Sequence, residues 1–179
     1  MSVYTQTLDM WPQRGAVQAL LLGPSQSMDG KVPSTTAEEF SLLLFLDARM
    51  LTSIFPVLLA VNKAITAEED GRLRTNNLAT EILFNLSPTT NINESLAKYG
   101  VKTDPHPILA LHIGPPMDDN EGSLRASPLL SVEKDLGKDV DVAALCKYFK
   151  LDPSKDAHDI QDLERMIIAT MALKGVSAK

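Results

Sequence analysis

The chain has 179 residues, 44% of them hydrophobic and 22% charged, and its 23 acidic against 17 basic residues give a formal net charge of -6. That length predicts one domain, residues 1–179, with a sizeable core. The acidic balance excludes a protein that coats nucleic acid over a broad basic face and leaves room only for a local basic patch.

Ala16 to Leu22 is a short apolar run closed by Gly23-Pro24, which predicts a buried strand. From Gly23 to Thr36 the composition turns to Gly, Pro, Ser and Thr, the chemistry of an exposed loop. A second apolar run from Ser41 to Asp47 predicts another strand. Ser53 is placed to cap a helix with Pro56 in its first turn, and apolar residues on nearly all sides from Val57 to Ile65 make that helix largely buried. Asn62, Lys63 and the acidic tail Glu68-Glu69-Asp70 mark where it emerges into water.

A basic turn follows at Gly71-Arg72-Leu73-Arg74-Thr75. Ile82 to Leu86, ended by Ser87-Pro88, predicts a third strand by its length and terminator. Asn91 with Glu94 has the spacing of a capping box, and Tyr99-Gly100-Val101 closes the helix it opens. Pro107 to Ile113 predicts a further strand, stopped by Gly114-Pro115-Pro116, whereas residues 117–140 give no assignable element. Asp141 opens a short helix from Val142 to Phe149. Asp156 or Asp159 opens the longest candidate helix, in which Ile160, Leu163, Ile167 and Met171 recur at helical spacing. Its Met166, Ile167, Ile168, Met171 and Leu173 are more apolar surface than one core stripe needs, so this face is either core or a groove for a partner. The fold class predicted is α/β of the α+β type, a small antiparallel or mixed sheet packed with helices and a long C-terminal helix.

The usual catalytic and cofactor signatures are missing. There is neither a phosphate loop nor a dinucleotide fingerprint, and His106, His112 and His158 lack metal-ligand spacing, so no catalytic residue, metal or cofactor is expected. Cys146, the single cysteine, reads as a small buried thiol; it fits a reducing compartment, and cytoplasm and nucleus are the expected locations. The N-terminal residues lack a signal-peptide pattern, and no apolar run reaches the ~18 residues of a membrane span, so neither membrane nor small-molecule substrate is expected as a partner. Arg72 and Arg74 form either a solvated turn or a guanidinium fork for phosphate.

Asn62-Lys63-Ala64, Thr75 with Leu78, Glu81-Ile82 through Leu86-Ser87-Pro88, Asn91-Ile92 and Lys98-Tyr99-Gly100-Val101 stand in an order and spacing that resembles the PRPK-binding protein (TPRKB) family, the small kinase-binding subunit of the KEOPS (EKC) complex. Tyr148-Phe149-Lys150-Leu151 and the C-terminal ending are similar as well. The resemblance implies a non-catalytic adaptor that binds a PRPK-type kinase or ATPase through its C-terminal helical region, here Met166, Ile167, Ile168, Met171 and Leu173. It also implies help in bringing tRNA to a complex that installs threonylcarbamoyl on the adenosine beside the anticodon. The tRNA role, linked to the single-stranded 3′ CCA end, would fall on Asn62, Lys63, Arg72, Arg74, Thr75, Ser87 and Asn91.

Where relatives often add another Arg to the basic turn, this chain has Asn76-Asn77, which implies fewer phosphate contacts and a shallower salt dependence. The Gly23–Thr36 stretch also replaces what reads as a charged helix in relatives. Two alternatives stand beside the adaptor: a protein-binding module whose Arg72 and Arg74 are merely solvated, and a small hydrolase or transferase using the Ser87 and Asn91 loop with a histidine.

Overall fold

The computed structural model describes residues 3–24, 36–38, 41–115, 129–156 and 158–174. Its strands are β1 (Tyr4–Thr7), β2 (Ala16–Leu22), β3 (Thr36–Glu38), β4 (Ser41–Asp47), β5 (Ile108–Gly114) and β6 (Leu129–Leu130). Its helices are α1 (Ile54–Glu69), α2 (Leu78–Leu86), α3 (Ile92–Tyr99), α4 (Val132–Asp135), α5 (Val142–Phe149), α6 (Pro153–Asp156) and α7 (Ile160–Leu173). The class is α+β, as expected. The contacts divide the chain into two compact units, Met1–Ala48 with Gly100–Leu136 and Arg49–Tyr99 with Gly137–Lys179.

The first unit is the sheet, antiparallel throughout, in the order β1-β2-β5-β4-β3. β5 pairs with β2 on one edge and β4 on the other, and all seven of its residues are buried. Burial on both faces removes the alternation of a half-wet strand, which is why this segment reads as a continuous apolar run. β1 covers Ala16–Ala19 of the remaining β2 edge, and β6 takes Leu21 and Leu22 beyond it. Leu20, Leu22, Phe45, Ile108 and Ala110 form one core cluster, with Leu43 and Val101 packed on it. Gly15 turns the chain into β2 at φ 82°, where a Cβ would lie 2.2 Å from Gly114 O, so only glycine fits.

All three predicted strands in this unit form. The Gly23–Thr36 loop falls mostly on residues 25–35, outside the described residues. Of the unassigned stretch 117–140, β6 and α4 are now placed, while residues 116–128 lie outside the described ones.

The second unit is helical. Ser53 Oγ accepts the Phe55 N–H at 3.1 Å and Pro56 occupies the first turn, so α1 starts as its sequence dictates. Asp141 and Asp159 cap α5 and α7 in the same way, accepting the amides of Ala144 and Asp162 at 2.9 and 2.8 Å. α5 ends at Lys150, which takes the left-handed conformation at φ 56° that glycine usually supplies. α1 packs against α2 and α7, α3 against α2, and α5 against α7.

The strand expected at Ile82–Leu86 is instead the body of α2. Asn77 Oδ1 accepts the Thr80 N–H at 2.9 Å, while Thr80 Oγ1 accepts the Asn77 N–H at 3.3 Å, a capping box closed by threonine rather than Glu or Gln. Every residue from Ala79 to Leu86 except Thr80 is buried, so no amphipathic period exists to separate helix from strand. Ser87-Pro88 ends this helix as it would end a strand, because the residue before proline is driven to extended angles, here φ -81° and ψ 146°.

Candidate nucleic-acid interface

α1 runs out at an acidic tail, and Gly71, at φ 62°, reverses the chain while Arg72 N bonds Ala67 O at 2.7 Å. The basic turn is then pinned from α2. Glu81, buried in the first turn of that helix, uses one oxygen, Oε2, to accept the backbone N–H of Arg74 at 3.0 Å, that of Thr75 at 2.9 Å and the Thr75 hydroxyl at 2.8 Å. A carboxylate taking three donors fixes the loop backbone and leaves the guanidinium groups to point elsewhere.

They point to a cavity of about 460 Å³ walled by Lys63, Arg72, Arg74 and Lys174, with Glu81 and Asn85 of α2 between them. Asp70 and a stretch of α1 close the rim. Two of the cations also terminate helices. Lys63 Nζ donates to Met171 O near the end of α7 at 2.7 Å, and Lys174 Nζ donates to Phe84 O and, at 2.8 Å, to Ser87 O at the end of α2. These are favourable places for positive charge, since the last carbonyls of a helix are unsatisfied and carry the negative end of its dipole. Lys174 Nζ stands 3.6 Å from the centroid of the Phe84 ring, and the Arg74 guanidinium 5.9 Å from it.

Crowding leaves a mark on these cations. Burial first, then the charges of Lys63 and Arg74, pull Lys174 from 10.5 down to about 8, with Glu81 opposing. Burial and then Arg74 lower Lys63 in the same sense. A phosphate would relieve that repulsion and return protons to both amines. Affinity for a phosphate-bearing ligand at these amines is therefore expected to fall as pH rises from 7 to 9, and Lys174→Arg to flatten the dependence. Stability moves the other way. Between about pH 8 and 10.5 the unfolded chain binds more protons at Lys174 than the folded one, so this group's contribution to folding rises with pH through that window. Fluorescence titrations and melts over the same pH series check both signs.

Of the seven residues that sequence singled out for the loop surface, Lys63, Arg72 and Arg74 meet in the cavity. Thr75 faces inward to Glu81 and builds the turn. Ser87 is fully buried, with its hydroxyl 2.6 Å from Tyr148 Oη, so it is unavailable to a ligand. Asn91 is exposed but caps α3, accepting the amides of Asn93 and Glu94 at 3.1 and 3.4 Å. Asn62 is exposed on α1 outside the cavity lining. Lys174 and Asn85 were missed. Asn85 fell within the segment read as a strand, and only the position of the C-terminus of α7 beside α2 makes the two wall residues. Arg72 is ion-paired with Asp70 on the surface, which in water holds it weakly. Asn77, one of the two departures from the expected basic turn, is spent on capping α2.

The hydrolase alternative loses its nucleophile, because Ser87 Oγ bonds Tyr148 and Thr89 rather than an imidazole. Two of the histidines are core residues: His106 lies with Nε2 3.8 Å from buried Asp47, and His112 has Nε2 2.9 Å from Ser41 Oγ. The apolar set on α7 divides. Ile167 and Met171 are core, Met166 and Ile168 are half-buried, and Leu173 is 63% exposed. As the helix stands, only the last three can meet a partner.

A family model described as kinase binding protein CGI-121 matches residues 25–175, which run through both units. The chain is similar to the EKC/KEOPS complex subunit TPRKB of Danio rerio, 27% identical over 97% of this chain and 98% of the relative. It is similar also to the EKC/KEOPS complex subunit CGI121 of Candida glabrata, 28% identical over 74% and 79% of the two chains, and to cgi121 of Neurospora crassa, 25% identical over 98% and 100%.

Proposed function

The chain belongs to the CGI-121 family of kinase-binding proteins, and on that premise we propose that it is a non-catalytic adaptor of a KEOPS/EKC complex, holding the complex's kinase on α7 and a tRNA end in the cationic cavity. Threonylcarbamoylation of the adenosine beside the anticodon would be carried out by another subunit. The observation that carries the RNA half of this reading is the convergence of Lys63, Arg72, Arg74 and Lys174 on one cavity of an otherwise acidic chain. Four cations facing an opening in the wall suit a single strand, whose phosphates can be gripped while its bases splay.

The kinase half rests on the family and on α7. Removing the end of that helix would take Ile167 and Met171 out of the core and unfold the helical unit, so point changes on its outer side are the cleaner test. Leu173→Glu and Ile168→Glu are expected to abolish co-elution with the KEOPS kinase of the same organism on a sizing column, with the melting temperature of Leu173→Glu unchanged. Co-elution that survives both changes would move the kinase interface off α7. For RNA, Arg72→Ala with Arg74→Ala should weaken binding of intact tRNA in a gel shift and lower the salt slope by about 0.7 for each cation lost. Equal binding of intact tRNA and tRNA stripped of its 3′ end would reject the end-recognition part.

A further inference from the structure

Lys174 has the surroundings of a reactive amine. It is half-buried at the end of α7 and lines the cavity, where its Nζ donates to Phe84 O and, at 2.8 Å, to Ser87 O. A free amine carries two protons, and those two carbonyls can take both, which leaves the lone pair unengaged. Desolvation and adjacent cations activate a lysine, because each disfavours the ammonium form. Both act here: burial, then the charges of Lys63 and Arg74, bring Lys174 down to about 8. Near neutral pH that raises its share of free amine by about a hundredfold over an ordinary lysine. As with thiolates, the lower basicity of the nitrogen returns only part of that gain.

The neighbouring cations decide which electrophile reaches the amine. Lys174 Nζ lies 3.6 Å and the Arg74 guanidinium 5.9 Å from the centroid of the Phe84 ring, so an anion held by Arg74 is within reach of the amine. Arg72 lines the same cavity. A guanidinium takes a phosphate through two parallel N–H bonds. We propose that Lys174 is a site of covalent acylation by small acyl phosphates, whose phosphate seats on Arg72 and Arg74 and whose carbonyl carbon is thereby set against the Lys174 nitrogen. The nitrogen lone pair forms the new C–N bond, the carbon–oxygen bond to the phosphate breaks, and phosphate leaves with that electron pair. The proton shed by the nitrogen passes to water. The product is an uncharged amide with a single N–H, too few to serve both Phe84 O and Ser87 O. Resting on the RNA reading above, acylation closes the site, since it removes one of the four cations and fills part of the opening.

The test incubates the full chain with acetyl phosphate and follows each lysine by peptide mass spectrometry. Lys174 is expected to be acetylated about tenfold faster than the exposed Lys147 and Lys155, the part of its free-amine advantage that survives the loss of basicity. An uncharged donor, the N-hydroxysuccinimide ester of acetic acid, separates the phosphate seat from the amine. Arg72→Ala with Arg74→Ala should cut the Lys174 rate several-fold more with acetyl phosphate than with the ester. Lys174 acetylated no faster than Lys147 overturns the proposal, and equal losses with both donors overturn the phosphate seat. A single-stranded RNA hexamer then reports the consequence by fluorescence anisotropy. Treatment with acetyl phosphate should weaken its binding to the native chain and leave that of Lys174→Arg, whose guanidinium is not acylated, close to its untreated value. Equal weakening of both overturns the closing of the site by Lys174. A native chain that binds no hexamer before treatment overturns the RNA reading alone, and the acetylation rates still decide the rest.

Discussion

Replacing Met171 with glutamate is expected to unfold the helical unit rather than to remove a partner contact. Met171 is fully buried on α7, and Leu163 and Ile167 complete the same stripe at 0% and 4% exposure. Truncating such a methionine to alanine typically costs about 2–5 kcal/mol, through lost apolar burial and the cavity left behind. A carboxylate at that position adds the cost of an unpaired buried charge. For a chain of this size each kcal/mol lowers the midpoint by about 2–4 °C, so Met171→Ala should melt about 5–15 °C below the native chain. Met171→Glu should lack a cooperative transition at 37 °C. Leu173, two residues on and 63% exposed, is the control: its glutamate variant should melt within about 2 °C of the native chain, as surface changes commonly do. A Met171→Glu protein with a native melting curve would mean that α7 does not pack as described. The carbonyl of Met171 is also the acceptor for Lys63 Nζ, so disorder at the end of α7 should release one wall of the cavity.

The ends of the helices were legible in the sequence because each is written in a few residues with one physical job. Ser53, Asp141 and Asp159 each have an oxygen one atom or two from the backbone, placed before an apolar run, and each accepts an amide of the first turn. The central strands were legible too, since each is a short, largely apolar run closed by turn or polar residues, of strand rather than helix length. α2 was not, because burial all round erases the period that tells a helix from a strand, and the deciding signal, Asn77 with Thr80, uses threonine in the place where Glu or Gln is expected. Half of the cavity was legible for a similar reason. Lys63, Arg72 and Arg74 lie within twelve residues of one another, so a local reading groups them. Lys174 comes from the far end of the chain and arrives only through the packing of α7 against α1. Asn85 required α2 to be a helix before it could share a face with Glu81.

Glu81 provides the test that separates geometry from charge in this site. By electrostatics alone, deleting a carboxylate from a cavity that binds an anion should tighten binding. Glu81→Ala is expected to do the opposite. Without the oxygen, the amides of Arg74 and Thr75 and the Thr75 hydroxyl lose their common acceptor, and the turn that carries two of the cations becomes free to move. Ordering two backbone residues again on binding costs about 1–2 kcal/mol each, which opposes the electrostatic gain. A single-stranded RNA hexamer should therefore bind more weakly than it does to the native chain, while the Arg74 and Thr75 amides exchange with solvent faster. Glu81→Gln supplies the rescue, because its carbonyl replaces the acceptor while the charge is gone. Amide exchange at the turn should return to the native rate, and affinity for the hexamer should equal or exceed that of the native chain. Tighter binding by the alanine variant would mean that the turn holds its shape unaided and that Glu81 acts on the ligand only through its charge.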